Sequence, residues 1–264
     1  MVTQAEYLML TTIALIYESL VIALFSSVLF LGLKKYQQKK HKLTFYLILI
    51  LVNFTVAVIF SWISKLLVLT IRLDFNHVPE NFINEYDETI PLFWFLYRIT
   101  DFRVSFVFVT LAIYFSYVLK VNLFEKGYKK IQRIFVIVYS IFTAVFAFFM
   151  YTRSNKELGD LLDMLAFFFL FLLMFLIYIP FFLRTFKAYR NVNDPVFKRG
   201  FLALAFMSIS FVLVLFCFLI DRLMLLNVPG YEVGFTVFYY LAWLFCVLGA
   251  ILGYVGYIKP RTAT

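Results

Sequence analysis

Seven charged side chains lie inside or at the ends of apolar stretches of this sequence, where charge is unfavourable and therefore informative. They are Glu18, Lys65, Arg98, Asp101, Arg103, Asp221 and Arg222. A charge buried in a membrane segment usually pairs with another charge, or lines the path of a ligand or an ion. Three acids and four bases nearly balance, so we expect either an ion-paired plug that holds helices together or a ligand or ion site.

The seven charges are predicted to lie at similar depths. Counting about 1.5 Å per residue from the basic end of each helix puts Glu18 and Arg103 about 25 Å from that end, and Lys65 about 33 Å. All seven therefore fall in the half of the molecule away from the basic loops. Because their depths match, Glu18 and Arg103 are the first expected ion pair.

The third apolar run carries polar groups on two sides. Arg98 and Asp101 are three residues apart and share a helical face, whereas Arg103 is rotated about 140° from Arg98. A helix that is polar on more than one face must be surrounded by other helices. We therefore expect this helix to be central.

The elements that carry these charges are long apolar runs. The chain is 64% hydrophobic and 15% charged, with a mean hydropathy of +0.93, which is far from the composition of soluble domains. Each run can supply the ~20 residues that cross a bilayer. The predicted fold is an all-α polytopic membrane protein, a seven-transmembrane-helix bundle forming one transmembrane domain over residues 1–264. The predicted helices lie near 7–33, 43–71, 92–119, 134–151, 163–183, 200–220 and 234–257.

Basic residues give the predicted orientation. Seventeen of the 24 Lys and Arg residues lie in stretches 34–42, 120–133, 184–199 and after Gly256. Cytoplasmic loops carry this excess, so the N-terminus is predicted outside and the C-terminus in the cytoplasm of a multi-pass plasma-membrane protein. The net charge of +9 then reflects contact with anionic lipid headgroups of the bilayer, and we expect no nucleic-acid partner.

The last helix contains small residues at close spacing. Gly249, Gly253 and Gly256 would let a neighbouring helix approach closely. We expect them to serve helix packing within the chain rather than homodimerisation.

The sequence lacks the residues that several kinds of metal and catalytic site require. The two histidines, His41 and His77, lie in loops, so no haem, di-iron or histidine-ligated zinc centre is expected inside the membrane. Cys217 and Cys246 lie in apolar runs and are predicted to be buried. No phosphate-binding loop, Ser/His pair or paired-Asp motif is present. We predict no metal, no cofactor and no enzymatic activity.

The end of the chain carries one family resemblance. The segment Gly253-Tyr254-Val255-Gly256-Tyr257-Ile258-Lys259-Pro260 resembles the last helix of orphan prokaryotic seven-helix sensor modules, which are often fused to signalling domains. That resemblance implies a receptor-like unit whose output passes to a separate cytoplasmic protein through the inner loops.

Three functions are compatible with this sequence. The first is a sensor or receptor-like protein that binds an unknown small ligand at the charged cluster in the outer half. The second is a small ion channel or transporter that uses the same cluster, and the third is a structural or assembly subunit. The inner half offers few polar groups, among them Thr110, Tyr114 and Tyr117 on the third helix. A dry inner half favours the sensor over the channel.

Overall fold

The computed structural model describes residues 4–38, 40–71, 90–125, 129–152, 156–227 and 235–257. In this part of the chain there are eight α-helices and no strands. The helices are α1 (Gln4–Gln38), α2 (Lys42–Ile71), α3 (Pro91–Thr100), α4 (Arg103–Phe124), α5 (Lys130–Phe149), α6 (Lys156–Asn191), α7 (Pro195–Asn227) and α8 (Val237–Tyr257).

All of these helices except α3 are long and apolar enough to cross a bilayer. Seven such helices define a multi-pass, all-helical membrane protein. The predicted all-α class and number of spans are confirmed. The orientation in the membrane stays a prediction.

The third predicted span, 92–119, is not one helix. It is divided at Asp101 and Phe102 into α3 and α4, and Phe102 has left-handed backbone angles, φ 60° and ψ 7°. The amide of Asp101 donates to the Tyr97 carbonyl and that of Phe102 to the Ile99 carbonyl, which closes α3 in a tight last turn. A bulky residue rarely adopts φ above zero, so the surrounding contacts must hold this junction.

Several helices extend further than their predicted apolar runs, α4 and α6 among them. α6 begins at Lys156 instead of residue 163, and α4 continues to Phe124 instead of 119. Asp163 and Lys120, which the sequence places at a span boundary and in a loop, are therefore both inside helices. Both are buried, with exposed fractions of 5% and 1%.

α4 is the most buried of the long helices. It packs against α2, α5 and α6, while α7 packs between α6 and α8 and α1 lies on α2 and α8. Polar side chains of α4 are thereby buried among neighbouring helices, namely those of Arg103, Ser105, Thr110 and Ser116.

The basic ends of the helices come together. The Phe124 ring at the end of α4 lies 5.9 Å from Phe181 of α6 and 6.3 Å from Phe201 of α7. We call this the basic end of the bundle. At the opposite end, Tyr7 and Val68 form a small apolar cluster with Phe102 and Phe235.

The glycines of α8 face α7. A Cβ at Gly249 would lie 2.9 Å from the Phe211 ring, and one at Gly253 would lie 2.9 Å from the Met207 sulfur. At Gly256 it would lie 2.9 Å from the backbone carbonyl oxygen of Gly200, which cannot move aside as a side chain can. Small residues thus permit the close approach of α7 and α8.

Candidate functional site

Glu18 is the centre of a buried polar network between α1, α2 and α8. Its Oε1 atom lies 3.0 Å from Lys65 Nζ and accepts hydrogen bonds from the hydroxyls of Ser61 at 2.7 Å and Tyr239 at 2.6 Å. Lys65 also donates to the Ser61 carbonyl at 3.1 Å. A buried ion pair is tolerated when further hydrogen bonds satisfy its members, and this pair has them.

Aromatic rings enclose the lysine of this network. Lys65 Nζ lies 4.5 Å from the centre of the Phe102 ring and 5.5 Å from that of Tyr239, distances at which a cation is attracted to a ring face. Glu18 and Lys65 are 0% exposed. Among the described residues, Glu18 Oε2 has no hydrogen-bond partner, so the carboxylate is satisfied on one side only.

The sequence of α1 explains why Glu18 points inward. Buried residues follow one another along α1 at intervals of three and four, which places them on one helical face, and most of the remaining side chains are apolar and suited to lipid. The buried face consists of Tyr7, Thr11, Ala14, Glu18, Val21 and Phe25. Glu18 is thus the charged member of an otherwise almost apolar packing stripe.

Arg103 belongs to a second network, between α4, α5 and α6. It forms an ion pair with Asp163, and its Nη1 donates to the Ala147 carbonyl at 3.2 Å. The expected pair of Glu18 with Arg103 is therefore wrong. The two residues were matched by depth alone, but Arg103 faces α5 and α6, whereas Glu18 faces α2 and α8.

Aromatic side chains also surround the two arginines of this region. The Arg98 guanidinium lies 3.7 Å from the Trp94 ring centre and 5.0 Å from that of Tyr151, and Arg103 lies 5.4 Å from the same Tyr151 ring. Asp101 is buried at the junction of α3 and α4. Tyr151 thus joins the two arginines that the sequence had assigned to different faces of one helix.

Asp221 helps to form the start of α8. Its Oδ1 accepts hydrogen bonds from the Thr236 amide at 3.1 Å and the Thr236 hydroxyl at 2.6 Å. The Thr236 hydroxyl oxygen in turn accepts from the Phe238 amide at 3.2 Å, which is the bond expected of an N-cap residue. Asp221 therefore ties the end of α7 to the beginning of α8.

A cavity lies beside the Glu18 network, between α2, α4, α6, α7 and α8. It offers about 80 Å³ to the centres of water-sized molecules, and its mouth is open. Ser61 and Tyr239 belong both to its wall and to the Glu18 network, while Asp221 and Arg222 line it from α7. The remaining wall is largely aromatic and aliphatic, with Phe102 on the lining near Arg222.

Six of the seven predicted residues divide into two groups, and the seventh, Asp101, is buried where α3 ends. Glu18 and Lys65 form one network that adjoins the cavity, and Asp221 and Arg222 lie on the cavity wall. Arg98 and Arg103 lie on the other side of α4, where Asp163 supplies the acid. Sequence analysis missed Asp163, although an acid near the start of a very apolar helix is a recognisable signal.

A further charged cluster occurs at the basic end. Lys120 is almost completely buried with its Nζ 5.2 Å from the Tyr117 ring, and Arg184 forms an ion pair with Glu125. The sequence treats Lys120 as a loop residue that marks the cytoplasmic side. Its burial means that it contributes to packing at the helix ends instead.

The described residues contain no group of three or more His, Cys, Asp and Glu side chains suited to a metal ion. Comparison with known proteins finds no matching family model, no similar curated protein and no similar solved structure. The structure itself defines the class, a multi-pass helical membrane protein with two internal ion-pair networks and a cavity beside one of them.

Proposed function

We propose that this membrane protein is a sensor or receptor-like protein that binds a small ligand in the cavity beside the Glu18 network. In this proposal it lies in the plasma membrane with its N-terminus outside, and its basic end contacts a separate cytoplasmic partner. The observation that carries the proposal is the shared wall: Ser61 and Tyr239 line the cavity and also donate to Glu18. A ligand there would touch the polar network directly.

Such a ligand could shift the packing of α8. A ligand changes a conformational equilibrium only through contacts that differ between the two states. Tyr239 of α8 is bonded to Glu18, and Thr236 at the start of α8 is bonded to Asp221 on the cavity wall. Because α8 is packed tightly on α7 down to Gly256, displacement at the cavity would be carried to the basic end.

The interior between the cavity and the basic end supports a sensor more than a channel. Buried side chains there include Ile50, Ile113 and Phe211. The Thr110 and Ser208 hydroxyls donate to carbonyls of their own helices, so they do not form a chain of polar groups. The buried Ser116 and Tyr178 hydroxyls are bonded to each other. An ion would therefore cross this region with few ligands to replace its hydration shell.

Reconstitution tests the sensor against the channel or transporter. Purified protein in liposomes should pass no measurable current or proton flux under an applied potential of either sign. Glu18→Gln and Arg103→Gln, each of which removes one charge from its network, should neither create nor abolish flux. Robust flux in the native protein that disappears in Glu18→Gln would overturn the sensor proposal and favour a conducting protein.

The two ion pairs, Glu18 with Lys65 and Arg103 with Asp163, also suit a structural or assembly subunit. The cavity supports the sensor, because a purely structural protein has no need of an open ligand space. Ala57 lines the cavity, so we expect Ala57→Leu to keep the native melting temperature. Ala112 is fully buried in the packed core, and Ala112→Leu should destabilise by about 1–3 kcal/mol through overpacking. Equal destabilisation by both changes would mean that the cavity is not usable space.

A further inference from the structure

We propose that the cavity takes an uncharged aromatic molecule of one or two rings, held by ring contacts rather than by hydrogen bonds. This inference rests on the proposed function and adds the chemical class of the ligand. Its grounds are the balanced charge of the cavity wall, the bonds that the wall's polar groups already make, and the arrangement of its aromatic rings.

The ionised groups of the cavity wall balance one another. Of the described residues that line the cavity, Asp221 is acidic and Arg222 basic, and they are neighbours on α7. Asp221 accepts two hydrogen bonds from Thr236. Arg222 lies 5.3 Å from the Phe167 ring centre and 5.8 Å from that of Phe102, and it makes a further interaction within the protein. An ionised ligand would meet no opposing net charge, and burial of an uncompensated charge is strongly unfavourable.

The hydroxyl groups of the wall are also engaged within the protein. Ser61 and Tyr239 donate to Glu18, and Ser105 donates to the Ala57 carbonyl at 3.0 Å. A sugar or an amino acid would bring several polar groups to hydroxyls that are already bonded. Each buried polar group that is left without a partner weakens binding, so the wall favours a ligand with few polar groups.

The aromatic rings of the wall form one continuous surface. Phe106 and Phe167 meet edge to face, with 4.5 Å between ring centres, and Phe218 and Trp243 do so at 5.3 Å. Phe167 lies 6.1 Å from Phe218 and so joins the two pairs. All four rings line the cavity. Aromatic rings attract one another in this geometry beyond the effect of the area that they bury, so the wall prefers an aromatic ligand to an aliphatic one.

The size of the cavity suits a compact ligand. The space open to the centres of water-sized molecules is about 80 Å³, several times the ~10–15 Å³ that one water needs. The lining residues of α8 extend from Tyr239 to Cys246, which is about 10 Å along the helix axis at about 1.5 Å per residue. An apolar protein cavity can take up a molecule such as benzene, and one or two rings match this length.

Tryptophan fluorescence offers a direct test, because the protein has three tryptophans and of these only Trp243 lines the cavity. The reporter is the Trp62→Phe/Trp94→Phe double variant in phosphatidylcholine nanodiscs. It is titrated with bromobenzene, para-bromotoluene and 1-bromonaphthalene, since bromine quenches indole fluorescence on contact. Quenching of Trp243 should saturate with para-bromotoluene and with at least one of the other two.

The matched control retains Trp62 alone, whose indole donates to the Ser19 hydroxyl at an exposed position. Its quenching should rise with the content of each probe in the bilayer and should not saturate. Both reporters are also placed in nanodiscs of phosphatidylcholine that carries bromine on its acyl chains. There Trp62 should be quenched more strongly than Trp243, because lipid chains do not fill the cavity.

Charged analogues of the same ring test the chemical class. para-Bromobenzoate and para-bromobenzylammonium resemble para-bromotoluene in size but carry a negative and a positive charge. Each should bind the Trp243 reporter at least about tenfold more weakly than para-bromotoluene. Bromocyclohexane, at equal concentration in the bilayer, should bind about two- to tenfold more weakly than bromobenzene, because it lacks the ring contacts.

A filled cavity tests where the molecule binds. Ala57 lines the cavity, so Ala57→Leu in the Trp243 reporter should weaken the binding of para-bromotoluene at least about tenfold. Ala23→Leu, on the exposed side of α1, is the matched control and should bind it normally. Val214→Phe, at another lining residue, replaces Ala57→Leu if the latter melts at a lower temperature. Unchanged binding in the filled variant would overturn the placement in the cavity.

The outcomes separate the two proposals. Binding of either charged analogue as tightly as para-bromotoluene would overturn the uncharged class and leave ligand binding in the cavity intact. Binding of bromocyclohexane as tightly as bromobenzene would overturn the preference for an aromatic molecule. Absence of saturable quenching by every probe would overturn both proposals, as would equal quenching of Trp243 and Trp62 by brominated lipid, which would assign the cavity to acyl chains.

Discussion

Glu18 Oε1 lies 3.0 Å from Lys65 Nζ, and neither side chain has any exposed surface. The pair joins the first two membrane helices, and through Tyr239 it also reaches the last one. Removal of either charge would leave the other uncompensated at a fully buried position, which is far worse than removing both.

Lys65→Met should therefore destabilise the protein by about 3–5 kcal/mol, and Glu18→Gln/Lys65→Met should recover part of that loss. Thermal melts in one detergent measure the cycle. Lys34→Met, at an exposed position, should change stability by less than about 0.5 kcal/mol. Additive effects of the two single changes would contradict the pair.

The effects of substituting Arg103 and Asp163 on stability should also be non-additive. The effects of substituting Arg103 and Glu18 should be additive. We expect a coupling free energy above about 1 kcal/mol for Arg103→Met with Asp163→Asn, and additivity within about 0.5 kcal/mol for Arg103→Met with Glu18→Gln. Both cycles use the same melting assay. Stronger coupling of Arg103 to Glu18 than to Asp163 would show that the assigned partners are wrong.

The left-handed backbone at Phe102 predicts that glycine is tolerated better than alanine at this position, the reverse of the usual order in a helical protein. Glycine adopts this conformation without strain, whereas alanine pays a steric penalty of about 1–2 kcal/mol. Phe102→Gly should consequently be more stable than Phe102→Ala by about 1 kcal/mol, although both lose the ring. At Phe106, inside α4, the order should reverse by about 0.5–1 kcal/mol, and the same order at both positions would contradict the backbone assignment.

Topology can be tested with an impermeant thiol reagent. Cysteines placed at Asn81 and Asn155, both outside the described residues, should react from outside sealed cells, whereas one at Gln38 should not. The native Cys217 and Cys246 are buried and should give little background. Labelling at Gln38 from outside would reverse the predicted orientation.

The number of membrane spans and the all-α class were accessible from the sequence because apolar runs of membrane length are a strong signal. The break at Asp101 and Phe102 was not, since neither glycine nor proline occurs there and backbone angles are not encoded in hydropathy. Asp163 was missed because α6 continues two turns beyond its apolar run. Hydropathy measures where lipid contact is favourable, whereas protein contacts can extend a helix further.

The pairing of Glu18 with Lys65 was not predicted because their estimated distances from the basic ends of their helices differed by about 8 Å. A helical side chain points back toward the N-terminus of its helix, and Lys65 Nζ indeed contacts Ser61, one turn earlier. The long lysine side chain thus spans most of that difference. Arg103 matched Glu18 in depth, but depth contains no information about direction around the helix.

The two ion pairs are completed at different times during synthesis of the chain, and this affects how the helices enter the membrane. Lys65 follows Glu18 by 47 positions on the next helix, so α1 and α2 can enter the bilayer as a hairpin that is already neutral. Arg103 must wait for Asp163, 60 positions later, which takes about 3–12 s at ordinary rates of chain synthesis. We expect α4 to stay beside the insertion machinery during that interval. Ribosome-bound chains that end before Asp163 should crosslink to the translocon through α4, and chains that include all of α6 should not.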